Sequence, residues 1–187
     1  NVFMAKYSKG EVAKKILFTL VAIGAVGVAV TLPGIGAVLA LFSPKSILDR
    51  KSFYRSLYGL KQKEAITIKK VGNKYGVQIT KKGEVLLRKF KFDSLELKKS
   101  KKWHGYWRAV TFDIPETKRG VRIALNNKLK KLGFFPYQKS FFLYPYNCKE
   151  EIDYIRTYFN QHDTIRYLLI KDFEGNKKLT RHFKLAK

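Results

Sequence analysis

Residues 107–146 read WRAVTFDIPETKRGVRIALNNKLKKLGFFPYQKSFFLYPY, and this stretch decides the fold of the chain's second half. Trp107–Ile114 is rich in aromatic and β-branched residues and predicts a strand. Pro115 suits the opening of a helix, because its φ is already set and its missing N–H would have no partner there. Val121, Leu125, Leu129 and Leu132 then recur on one helical face, and Gly133 ends the run. Phe134–Gln138 and Ser140–Tyr146 predict two further strands, with Pro136 and Pro145 near their margins. Beyond them Lys149–Phe159 predicts a second helix and Thr164–Phe173 a last strand. Glu174-Gly175-Asn176 reads as the turn that ends this strand, and Leu179–Phe183 as a short final element. The order over residues 103–175 is βαββαβ, the split βαβ arrangement of ferredoxin-like domains.

Moving toward the N-terminus, Lys98–Lys102 has the composition of a linker. It divides the chain into residues 1–95, a basic connection at 96–102, and residues 103–187. Residues 46–90 have the pattern of a winged helix. Ser43-Pro44 starts a helix whose apolar stripe is Ile47, Leu48, Phe53, Leu57 and Leu60. Two β-prone runs follow, Ala65–Lys70 and Tyr75–Thr80, with Gly72-Asn73 between them to supply positive φ angles. Thr80 and Glu84 read as a loose capping pair for a helix through Leu87. The whole sequence therefore predicts an α+β chain, an N-terminal helical and winged-helix domain followed by a ferredoxin-like βαββαβ domain.

Ile16–Phe42 carries no charge and is long enough to cross a bilayer, for which about 20 apolar residues suffice. Gly24, Gly27, Pro33, Gly34 and Gly36 interrupt it, and Pro33-Gly34 divides it into halves near 11–31 and 35–42. Buried helices in a core or dimer interface are favoured, with a membrane anchor as the other option. The stretch does not read as a cleavable signal. Met4 reads as the natural start, with Asn1–Phe3 as an addition ahead of it.

Lys plus Arg number 39 against 14 Asp plus Glu, a net charge of +25 in 187 residues. Such an excess attracts polyanions, because each phosphate contacted releases condensed counterions. DNA, RNA and an anionic membrane surface all qualify, and a generally Lys-rich proteome is the bland alternative. Residues 43–101 carry 17 basic and 5 acidic side chains, the most basic third for its length. An aromatic content of 14% argues for folded cores rather than a disordered tail. Cys148 is the only cysteine, which excludes an intrachain disulfide and points to a reducing, cytoplasmic setting. His104, His162 and His182 are too scattered for a structural zinc site.

A winged helix sets one helix in the major groove and its hairpin against phosphates. On the helix, Arg50, Lys51, Tyr54 and Arg55 lie off the apolar stripe. Arg50 and Arg55 are the candidates for guanine edges, since a guanidinium donates twice to O6 and N7. Lys69, Lys70, Lys74, Lys81 and Lys82 cluster on or beside the wing as phosphate contacts. Arg119, Arg122 and Lys130 form a candidate second basic surface on the helix after Pro115. DNA binding of this kind requires no cofactor.

Two segments also carry a family resemblance. Trp107-Arg108-Ala109-Val110-Thr111-Phe112-Asp113-Ile114-Pro115-Glu116 is one, and the other runs Leu132-Gly133-Phe134-Phe135-Pro136-Tyr137-Gln138-Lys139-Ser140-Phe141-Phe142-Leu143-Tyr144-Pro145. Together they resemble the central domain of PaaX-type transcriptional repressors, which is similar to Cas-two, a ferredoxin-like dimer of CRISPR adaptation. The resemblance covers about residues 103–175 and implies a preceding winged helix, a homodimer and a double-stranded DNA partner. The family's winged helix does not follow so apolar a stretch, and its C-terminal extension is not expected here, so no effector response is implied. Cas-two nucleases place an aspartate at the end of the first strand, where two copies can hold a divalent metal. Asp113 stands at that position, so the resemblance implies an alternative, a Mg²⁺-dependent nuclease or CRISPR-adaptation subunit. The other role for Asp113 is structural, accepting backbone donors at the start of the next helix. A third reading is a membrane-attached DNA binder.

Overall fold

A computed structural model describes residues 9–22, 30–32, 50–71, 74–97 and 103–185. The chain divides into two compact units, Asn1–Asp93 and Ser94–Lys187. The predicted breaks and starts at Pro33-Gly34, Ser43-Pro44 and Gly72-Asn73, the stripe residues Ile47 and Leu48, and Lys98–Lys102 lie outside the described residues.

The first unit contains α1 (Lys9–Ala22), β1 (Val30–Leu32), α2 (Arg50–Gln62), β2 (Ile66–Val71), β3 (Lys74–Ile79) and α3 (Lys81–Asp93). Its sheet has the order β1-β3-β2, with both pairings antiparallel. The core forms where α1 contributes Ile16, Leu17 and Leu20, α2 contributes Phe53, Leu57 and Leu60, and the hairpin contributes Ile66, Val77 and Ile79. Each such side chain is stabilised by about 1.5–3 kcal/mol when removed from water. The apolar run that was expected to be helical to residue 31 therefore splits: its first part is α1, and Val30–Leu32 is a strand. The β-branched Val30 and Thr31 pair with Val77 and Gly76, giving β3 a partner on its second edge. Among the described residues, no helix is long and apolar enough to cross a membrane.

The junction between α2 and α3 is tight. Glu64 takes a left-handed φ of 53° in the turn after α2. Thr80 caps α3 by accepting the Gly83 N–H at 3.1 Å, and its hydroxyl donates to the Glu64 carbonyl at 2.5 Å. The expected partner Glu84 instead contributes a backbone bond, its N–H reaching the Thr80 carbonyl at 2.9 Å. Gly83 is required here, because a Cβ would overlap the Ala65 carbonyl oxygen.

The second unit runs β4 (Trp107–Phe112), a 3₁₀ turn (Glu116–Lys118), α4 (Arg119–Lys131), β5 (Phe135–Gln138), β6 (Phe141–Tyr144), α5 (Lys149–Phe159), β7 (Ile165–Ile170) and α6 (Asn176–His182). The sheet order is β5-β6-β4-β7 with every neighbouring pair antiparallel, which is consistent with a ferredoxin-like arrangement. Pro115 sits one residue before the 3₁₀ turn rather than inside a continuous helix, so the regular helix begins at Arg119. Gly133, at φ 91°, carries the chain out of α4.

The central strand β4 is buried on both faces, Trp107 and Ala109 on one and Val110 and Phe112 on the other. The Trp107 face is closed by α6 and its flanks: Leu179 is buried there, and Phe173, Phe183 and Leu185 pack on the same cluster. The Trp107 indole N–H also donates to Asn176 Oδ1 at 2.8 Å. On the other face the rings of Phe112 and Phe142 stack, and α4 and α5 bury Leu125, Leu129, Ile152 and Ile155.

Candidate nucleic-acid interface

Helix α2 buries Phe53, Ser56, Leu57 and Leu60, so the opposite face is fixed by elimination. That face carries Lys51, Tyr54, Arg55, Tyr58, Lys61 and Gln62, all exposed. Lys51, Arg55, Tyr58 and Gln62 fall three or four residues apart and form one row along the helix. The helix contains no Asp or Glu, so nothing on it neutralises these cations. Tyr58 is 61% exposed, more than Tyr54 at 44%. Tyr58, Lys61 and Gln62 were missed from sequence, although their spacing from Tyr54 and Arg55 was a usable signal. Arg50 is placed by its backbone alone, as the first residue of α2.

Gly59 lies next to Tyr58 in the helix interior. A Cβ added there would meet nothing within 4 Å, so packing among the described residues does not demand glycine. Glycine costs such a helix about 1 kcal/mol relative to alanine.

The hairpin presents its lysines on two sides. Lys69 and Lys70 are both exposed, but successive strand residues point to opposite faces. Lys70 follows Ile66 and Ile68 on the core-facing side, while Lys69 shares the outer side with Thr67. Lys74 is placed by its backbone, opposite Val71 in the register. Lys81 and Lys82 are exposed as the first two residues of α3, near the positive end of its dipole. Lys82 forms an ion pair with Glu64, which holds the Glu64 carboxyl below the usual carboxylate range. The fold thus keeps Lys51 and Arg55 on one helical row but separates Lys69 from Lys70 and ties Lys82 to an acid.

On α4, Arg119 and Arg122 both approach Glu116, at 3.7 Å and 2.5 Å, so this basic surface is partly neutralised. Lys130 is exposed beside them in sequence. Lys128 turns inward instead, only 5% exposed, with its Nζ donating to the Leu95 carbonyl at 3.4 Å.

Asp113 is exposed just after β4, where its N–H donates to the Thr164 carbonyl at 3.0 Å. It does not cap the following turn: the cap position is Pro115, and no side chain bonds there. Among the described residues, no group of three or more His, Cys, Asp or Glu side chains could hold a metal ion. Cys148 is buried, and burial pushes its thiol up to about 12.

Fold and surface together define an α+β chain whose architecture is consistent with nucleic-acid-associated function. Residues 100–180 match the family model described as the PaaX protein central Cas2-like domain. No curated protein matches the chain.

Proposed function

We propose that this chain is a sequence-specific, double-stranded DNA-binding transcriptional regulator of the PaaX type, acting as a homodimer. In this reading the first unit is a winged helix, with α2 in the major groove and the β2–β3 hairpin as the wing along the phosphates. The observation that carries it is the exposed, acid-free row Lys51–Arg55–Tyr58–Gln62 on α2, one turn away from a hairpin bearing Lys69 and Lys70. The sheet order β1-β3-β2 supports the same reading, and so does the match to the PaaX domain model over residues 100–180. Phosphate contacts by lysines would supply affinity, and Arg55 would supply discrimination through guanine O6 and N7. The test is equilibrium binding of the full chain to random and selected duplexes across a salt series. Binding that falls steeply with salt, with selected sequences held more tightly than random ones, is the expected result. No duplex binding at low salt removes the proposal.

A further inference from the structure

Two neighbouring residues of α2 depart from what a stable, solvent-facing helix would use. Tyr58 is 61% exposed, with Arg55 and Lys61 three residues to either side of it on the helix, and Gly59 leaves a gap that no described residue fills. A ring in water forgoes the stabilisation of burial, and an interior glycine weakens the helix, so both choices cost the folded protein. Both become useful if another molecule seats on this row. The chemistry of the row narrows that molecule. Lys51, Arg55 and Lys61 attract phosphates, while a Tyr ring at the centre needs an apolar partner. In the major groove of DNA, the thymine 5-methyl group is the apolar feature presented at base edges. Duplex RNA lacks that methyl, and its major groove is too narrow to admit a helix.

We propose that Tyr58 is a specificity-determining residue that packs its ring on thymine 5-methyl groups, with Gly59 allowing α2 to approach the groove closely. The proposal rests on the reading of α2 as the major-groove helix. Its consequence is a site requirement for thymine, not merely for an A·T pair, at the position facing Tyr58. Gly59 also acquires a signed role: an added methyl there strengthens the helix and obstructs the approach.

The experiment uses the full chain and a duplex selected from random DNA. Each thymine is replaced in turn by deoxyuridine, which deletes only the methyl, and binding is measured for wild type, Tyr58→Ala, Tyr58→Phe and Gly59→Ala. For wild type, one or two replacements are expected to weaken binding roughly four- to tenfold. Tyr58→Ala should show the same loss on the intact site and no further loss on the deoxyuridine site, while Tyr58→Phe keeps the wild-type pattern. Gly59→Ala should melt about 4 °C higher yet bind the site less tightly. Additive effects of Tyr58→Ala and the missing methyl overturn the proposal, as does Gly59→Ala binding like wild type or a preference for duplex RNA. If those results come with salt-sensitive, sequence-selective duplex binding, the thymine contact fails while the DNA-binding reading stands. Absence of all duplex binding overturns both.

Discussion

Gly83 shows how little latitude a single position can have. Its Cα lies against the Ala65 backbone and the Ile79 side chain, where a methyl group has no room. Gly83→Ala is expected to destabilise the first unit by about 1–3 kcal/mol, the usual cost of overpacking, read as a lower urea midpoint. The opposite sign at Gly59 makes the pair a sharp comparison within one domain. Cys148 is a second residue with a definite consequence. Burial raises its thiol to about 12, and Tyr167 beside it is raised to about 12 for the same principal reason. An acid whose folded-state pKa is raised stabilises the fold at pH values below its unfolded pKa. That contribution is lost as pH climbs from the thiol's ordinary value of 9.0 toward about 12. Native protein at pH 8 should therefore resist thiol reagents, and its urea midpoint should fall through the alkaline range. Rapid labelling of Cys148 in folded protein would contradict this.

At the scale of elements, α2 and the hairpin divide the proposed work differently. Arg55→Ala should reduce the preference for a selected duplex over a random one by about 1–3 kcal/mol. Lys69→Ala should weaken both duplexes equally and lower the salt dependence by about one unit. Competition binding at two salt concentrations separates the two outcomes. Elements with strong local patterns were legible in the sequence: α5 occupies Lys149–Phe159 as predicted, and β2 and β3 fall within one residue of their expected spans. Strand β1 was hidden in an apolar run, because three residues become a strand only when the edge of β3 is there to receive them. Tyr58 was legible in principle, since the stripe Phe53, Leu57 and Leu60 already places it off the buried face with Tyr54 and Arg55. The ion pair between Lys82 and Glu64 joins residues 18 apart in sequence, a contact that no local spacing reveals. Lys128 looked like one more surface cation, and its inward turn depends on the carbonyl of Leu95.

For the molecule as a whole, a net charge of +25 sets the expected response to salt. With about 6–10 phosphates contacted, affinity should fall by roughly 10³–10⁵ between 50 and 200 mM salt. A weak salt dependence would show that most of the cations face away from the duplex. The sheet of the second unit bears on how two copies could meet. Much of both broad surfaces is covered by the chain's own helices and aromatic side chains, which leaves the two rims as the sheet's unpaired edges. The β5 rim is blunted by Pro136 and by a register shift between Pro136 and Gln138. The β7 rim has neither device, and it carries Leu168 and Leu169 at 43% and 62% exposure. Replacing Leu169 with lysine should leave the monomer folded and disrupt any dimer seen by sedimentation. Side-by-side joining along β7 would fuse two four-stranded sheets into one continuous eight-stranded ribbon.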